Sequence, residues 1–299
     1  MTTITSRRRL LTAVVILAVL GLIAVVAVLL VMRAVTEGSF GLRDSAGVTY
    51  RTALAVLRRG EVQATTRGAH TNVIFLHHSV GNNLINQGKV REQFQQAGID
   101  FWDQGYRYDG LRDPSGVKTG FWYPLPADNT DIDGLARLMA QEPKSLPVNA
   151  LSGLLQHEVI MLKSCYPNNN FNGAEGFQQF QEMYLGMRAT MDAHPEKIFV
   201  LLTTPPLNPA ETNMENARLA REMAAWLASE AFIGGRQNVF VFDFYTLLAE
   251  NDPASPEYGM LRAAYREGAD SHPNAAANVE IAPLLVDFVL ESIETYRGD

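Results

Sequence analysis

The sequence predicts an α/β domain: three layers, α/β/α, around a five-stranded parallel sheet, preceded by one N-terminal transmembrane helix. Three observations predict it. Short runs of bulky and β-branched residues recur at 72–77, 99–103, 158–163, 197–203 and 238–243. Segments of helical character separate them, and strands alternating with helices read as a parallel sheet covered on both faces. An uncharged apolar run occupies 10–32 near the start of the chain.

That run, LLTAVVILAVLGLIAVVAVLLVM, would rise about 34 Å as a helix, against a bilayer core of about 30 Å. Arg7, Arg8 and Arg9 precede it and only Arg33 closely follows. The positive-inside rule then puts residues 1–9 in the cytoplasm and the rest of the chain outside, on a single-pass membrane anchor. A cleaved signal peptide would have a shorter apolar core and a small-x-small site; this run ends in Leu-Val-Met. Ser6-Arg7-Arg8-Arg9-Leu10-Leu11 also resembles a twin-arginine export signal. Residues 33–69 hold Gly, Ser, Thr and scattered charges, with a short helical pattern at 50–59, and read as a stem. The soluble domain is expected over 70–299.

Within it, the first strand, 72–77, is apolar at Val73-Ile74-Phe75-Leu76, as befits a strand buried on both faces. A helix is expected at 84–97 from apolar Leu84, Ile85 and Phe94. Strand two at 99–103 is followed by Gly105 and a loop to about 130. Helices are expected at 134–141 and 150–156. Strand three at 158–163 contains Val-Ile-Met-Leu, and an amphipathic helix follows at 175–193. Strand four at 197–203 stops at Pro205-Pro206. A helix rich in Ala, Glu, Arg and Met spans 211–229. Strand five, 238–243, precedes the final helix at 275–296. Right-handed crossovers leave few topologies for this order.

The 299 residues carry a net charge of -7 and are 47% hydrophobic and 19% charged, enough for one large domain with a full core. No basic face suggests nucleic acid as a partner. The single cysteine, Cys165, excludes an internal disulfide framework and reads as inert packing.

Chemistry-bearing residues fall where strands end. Strand one stops at His77-His78-Ser79, with Gly81 in the turn that follows. That lifts a hydroxyl to the carboxyl edge of the sheet, where open α/β folds bind ligands. A nucleophilic Ser needs a His, and usually a carboxylate to orient it; Asp270-Ser271-His272-Pro273-Asn274 supplies both. Gly105 follows strand two, and Ser164-Cys165-Tyr166-Pro167-Asn168-Asn169-Asn170 follows strand three. Backbone N–H groups and an Asn side chain suit an oxyanion hole, because they donate without carrying charge. Ser79 as nucleophile, His272 as base, Asp270 as orienter, the Gly105 backbone and an Asn from 168–170 fill the roles of acyl transfer.

On these residues the chain, over roughly 70–298, resembles the SGNH (GDSL-type) hydrolases. That family places a Ser after strand one, a Gly after strand two, an Asn after strand three and a late Asp-x-x-His before the last helix. The resemblance implies a flavodoxin-like sheet ordered 2-1-3-4-5 and ester hydrolysis or acyl transfer. It implies an oxyanion hole of the Ser79 and Gly105 N–H groups with Asn168, or alternatively Asn170. The chain departs from the pattern in three places. His77-His78-Ser79 replaces Gly-Asp-Ser. Ser164-Cys165-Tyr166-Pro167-Asn168 replaces Gly-x-Asn-Asp. Asp270 stands two residues before His272 rather than three.

Other features have plainer readings. His77 and His78 point to opposite faces of a strand and do not suit one metal; one is expected to pack inside and His78 to line the pocket. Asn82, Trp102 and Trp122 are further candidate substrate contacts, since aromatic faces stack on sugar rings; core packing is the competing reading. Asp243, after strand five, is a second carboxylate candidate. Asn129-Thr130-Asp131-Ile132-Asp133-Gly134 starts like a calcium loop, but Glu142 is out of register, so a turn and helix start is expected. The functional expectation is a membrane-anchored, outward-facing serine esterase acting on a small-molecule or glycan ester. It needs no metal and no organic cofactor. An O-acyltransferase and a non-catalytic binding module are the alternatives.

Overall fold

The computed structural model describes residues 14–23, 25–28, 30, 45–63, 68–106, 109–126 and 129–298. Six strands form one sheet: β1 (Asn72–Leu76), β2 (Asp100–Gln104), β3 (Leu111–Arg112), β4 (Val159–Lys163), β5 (Ile198–Leu202) and β6 (Val239–Phe242), in the order β3-β2-β1-β4-β5-β6. The sheet therefore has six strands, not the five expected. The five expected strands are all present and pair in parallel, and β3 pairs antiparallel with the edge of β2. Only two residues of β3 pair, Asp103 with Arg112 and Gln104 with Leu111, too short a stretch to show an alternating pattern. Leaving β3 aside, the order of the parallel strands is the flavodoxin-like one that the SGNH resemblance implies.

The central strands are buried throughout, so successive side chains feed two cores. Ile74, Leu76, Ile160, Leu162, Phe199 and Leu201 point to one face. The helices Ile132–Met139, Gly173–Ala193 and Met214–Leu227 cover it. Val73, Phe75, Val159, Met161, Ile198 and Val200 point to the other. There Ser79–Gln87, Val90–Gln96 and Ala275–Arg297 lie. The helix expected at 84–97 is thus two helices. A Cβ on Gly88 would sit 2.3 Å from Ala282 Cβ, so the chain turns there against the last helix, and Lys89 takes φ 55.

Residues 45–62, expected as stem, form helices Ser45–Leu57 and Arg59–Val62 that pack on the domain. Ala55 and Val62 enter the first core, Val48 packs on Trp122, and Arg58 Nη1 donates to the Thr119 carbonyl at 2.5 Å. Among the described residues no helix is long and apolar enough to cross a membrane. Of the expected anchor, residues 14–23 and 25–28 are helical with exposed side chains, whereas 10–13, 24, 29 and 31–32 lie outside the described residues, as do Arg7, Arg8 and Arg9. A spanning helix is therefore not among the described elements.

Candidate active site

Chain order reverses between β1 and β4: one crossover runs out to β2, the other returns to β4. Such a switch point opens a crevice at the carboxyl edge. Ser79 stands there as the first residue of its helix. His78 before it is extended, at φ -133. The turn from strand to helix is tight because Gly81 lacks a Cβ, which would fall 2.4 Å from His77 Cβ.

Ser79 Oγ donates to His272 Nε2 at 2.6 Å, and His272 Nδ1 donates to Asp270, with both carboxylate oxygens at 2.8 Å. The Asp two residues before the His thus reaches the imidazole. Burial works to raise the Asp270 pKa. The hydrogen bond from His272, that ring's charge and the backbone N–H groups of His272 and Ser271 outweigh it and hold the carboxyl below its usual range. Ser271, fully buried between them, anchors the loop: its Oγ accepts from the Asn208 N–H at 2.8 Å and donates to Glu211. Asn208 also donates from its amide to the carbonyls of Gly268 and Asp270. Asn274 caps the last helix by accepting from the Ala277 N–H. The Tyr166 ring meets His272 edge-on at 5.1 Å; burial, then the charge of Asp270, pushes its phenol up to about 12. Neither Asn208 nor Tyr166 carries a sequence signal of such a role.

The oxyanion side differs from expectation. Asn168 is buried and committed: its Oδ1 accepts from the Ile132 N–H at 3.1 Å, and its Nδ2 donates to the carbonyls of Thr130 and Cys165. Asn170 is turned outward, donating to the Glu211 carbonyl and accepting from Asn216. Neither amide is presented to Ser79. The chain after β4 coils into a 3-10 turn, Tyr166–Asn169, which brings the Asn168 amide onto the carbonyls of Thr130 and Cys165. The Ser79 N–H instead donates to the hydroxyl of Tyr106, at 3.3 Å, on the turn after Gly105.

His78 does not line the pocket. It is 1% exposed, its Nε2 accepts from the Asn129 amide at 3.1 Å, and burial together with the charges of Lys163 and His77 pushes it down to about 2. His77 is likewise buried, facing Asp103. Trp102 and Trp122 are core residues, at 6% and 2% exposure; Trp102 packs edge-on against His157, and Trp122 lies under Arg51. The loop that carries Trp122 is fixed by Gln104, whose side-chain amide pairs with both the N–H and the carbonyl of Tyr123. Asp243 caps a helix, accepting from the Thr246 N–H and the Thr203 hydroxyl. The calcium-like stretch is a helix start, with Ile132 the first helical residue.

An open cleft of about 410 Å³ runs past the triad, lined on one wall by Ser79, Asn83 and Gln87 and on the other by Glu267, His272 and Asn274. Positions four apart share a helix face, so Asn83 faces the cleft rather than the expected Asn82. Asn82 accepts instead from Asn86 within the helix. The walls are mainly amides and carboxylates.

No family model and no curated relative matches the chain. Solved structures do. A protein of Bacteroides fragilis named an acylhydrolase is 12% identical over 80% of this chain and 93% of its own, with a TM-score of 0.49. A GDSL-like lipase of Bacteroides thetaiotaomicron is 10% identical over 81% and 97%, with a TM-score of 0.46. The periplasmic domain of a lipopolysaccharide acetyltransferase from Salmonella ser. Paratyphi A is 14% identical over 82% and 96%, with a TM-score of 0.35. At these scores the likeness does not bear on activity.

Proposed function

We propose that the chain is an SGNH-type serine ester hydrolase. The observation that carries this reading is the 2.6 Å bond from Ser79 Oγ to His272 Nε2, with Asp270 behind the ring. Ser79 Oγ attacks the ester carbonyl while His272 takes its proton. The carbonyl oxygen becomes an anion beside the Ser79 N–H. Collapse expels the alcohol, which receives the proton from His272, and leaves Ser79 acylated. Water, deprotonated by His272, then attacks the acyl carbon, and His272 returns that proton to Ser79 Oγ as the bond to the acid breaks. Asp270 keeps the imidazole in the tautomer that accepts at Nε2 and stabilises the imidazolium.

The polar walls of the cleft support a short acyl group on a hydroxylated alcohol, as in an acetylated carbohydrate. A long acyl chain would need an apolar groove. The Arg7–Arg9 cluster and the uncharged run 10–32 support an outward-facing domain tethered to the membrane. A cleft this open would also admit a sugar hydroxyl in place of water, which is the transferase variant of the same chemistry.

The test is release of p-nitrophenol from p-nitrophenyl acetate by the full-length chain in detergent, beside Ser79→Ala and His272→Ala. Turnover by wild type with both variants at background is expected. Equal rates in all three would exclude Ser79 as the nucleophile. Product analysis with and without a glycan acceptor separates hydrolysis from transfer.

A further inference from the structure

An oxyanion hole built only from backbone N–H groups would lack the side-chain donor that the resemblance assigns to an Asn. Asn168 and Asn170 spend their amides elsewhere. Asn169, also buried, donates to the carbonyls of Thr204 and Pro205, and the buried Asn129 donates to His78 Nε2 and the Gly105 carbonyl. The group that does stand at the Ser79 N–H is the Tyr106 hydroxyl.

We propose that the Tyr106 phenol is the side-chain donor of the oxyanion hole. This rests on Ser79 being the nucleophile. When Ser79 Oγ bonds to an ester carbon, the oxygen that becomes anionic must lie within about 3 Å of the Ser79 N–H to use it. The Tyr106 oxygen already marks that direction, 3.3 Å from the nitrogen. In the free protein it accepts from the N–H. A phenol accepts and donates through the same oxygen, so its own O–H is available to a neighbouring anion. A small rotation of the ring lets the oxyanion take the N–H and receive the phenol O–H as a second bond. The phenol keeps its proton throughout; the proton that moves is the one His272 takes from Ser79 and returns to the leaving alcohol.

The surroundings aim the ring. Tyr106 follows Gly105 at the end of β2 in a tight turn. Its N–H donates to the Asp109 carboxylate at 3.1 Å and its carbonyl accepts from the Asp109 N–H at 2.9 Å. Its ring leans on the buried His78 ring, with centroids 5.3 Å apart. His78 precedes the nucleophile and is itself pinned by Asn129. One rigid unit thus sets both the Ser79 N–H and the support of the phenol.

The experiment is steady-state kinetics of full-length Tyr106→Phe on p-nitrophenyl acetate, with wild type and Ser79→Ala alongside, and inhibition by a small boronic acid that forms a tetrahedral adduct on serine. Tyr106 is 42% exposed, so losing the hydroxyl should leave the melting temperature unchanged. The expected result is a kcat lower by about 10²–10³, KM within about threefold, and boronate affinity weakened by a comparable factor. A Tyr106→Phe variant that keeps or exceeds wild-type kcat, beside an inactive Ser79→Ala, overturns the assignment alone: the hydroxyl would then only cover the N–H. Wild type no faster than Ser79→Ala overturns both this assignment and the nucleophile.

Discussion

His77 Nε2 donates to Asp103 Oδ2 at 3.0 Å, while His77 Nδ1 donates to the carbonyl of His78 at 3.0 Å, so one buried ring ties β2 to the peptide that carries the Ser79 N–H. Asp103 also accepts from Arg91, which donates in turn to the carbonyls of Phe101 and Asp113. The turn that carries Ser79 thus rests on a largely buried ion pair, Arg91 with Asp103.

Asp103→Asn is expected to destabilise the fold by about 3–5 kcal/mol, because it leaves the Arg91 guanidinium without its largely buried anion. Burial works to raise the Asp103 pKa, but the hydrogen bond and charge of His77, then Arg91, hold it below the usual carboxylate range. A carboxyl depressed on folding adds stability above its unfolded value of about 3.9, lost as pH falls through the folded value. Melting temperature against pH should therefore drop steeply in acid for wild type and less steeply for Asp103→Asn. Parallel curves would sink the account.

Asp270→Asn tests the orienting carboxylate. An Asn cannot accept from Nδ1–H with the same charge and can turn its NH₂ toward the ring, favouring the wrong tautomer. The loss in kcat is expected on the order of 10²–10⁴, with KM little changed. The Asp270 side chain is 56% exposed, so the melting temperature should barely move. Full activity in this variant would assign the orienting role to another group.

Asn168→Ala separates a structural amide from a catalytic one. Two of its three hydrogen bonds hold the loop after β4 to residues 130 and 132, and the third, to the Cys165 carbonyl, stays within the loop. Leaving buried partners unsatisfied should cost about 1–3 kcal/mol of stability, with kcat within a few-fold of wild type below the melting transition. A kcat loss as large as that of Tyr106→Phe, at unchanged stability, would return the amide to the oxyanion hole.

Lys163 ends β4 at 1% exposure, its ammonium donating to the Ser164 carbonyl at 2.7 Å. Burial pushes it down to about 8, against the partial opposition of Cys165. Between about pH 8 and its unfolded value of about 10.4, the unfolded chain holds the proton and the folded chain does not, so stability rises with pH. Denaturant titrations should show a gain on the order of 3 kcal/mol across that window in wild type. Lys163→Met should lack it, and an equal gain in the variant would count against a buried ammonium.

The five parallel strands are legible in the sequence as apolar runs, because a strand covered on both faces has no polar side to interrupt it. Ser79, His272 and Asp270 can be paired across 193 positions of chain because parallel strands deliver their carboxyl ends to one edge. Other features are not legible there. The edge strand β3 is held by pairing to β2 and by nothing periodic of its own. Asn83 takes the place expected of Asn82 because the helix starts at Ser79, ahead of its apolar pattern at Leu84. Trp102 goes to the core because it lies in β2, and Trp122 because Gln104 and His157 hold its loop through Tyr123.

What the sequence determined by itself is therefore the layer order and the strand-end positions of Ser79, His272 and Asp270, since these follow from local pattern. Tertiary structure alone decided where each amide and phenol points: Asn168 into its own loop, Tyr106 toward the Ser79 N–H, His77 onto Asp103. A hydrogen bond takes the partner that packing brings within about 3 Å, and that partner comes from another part of the chain.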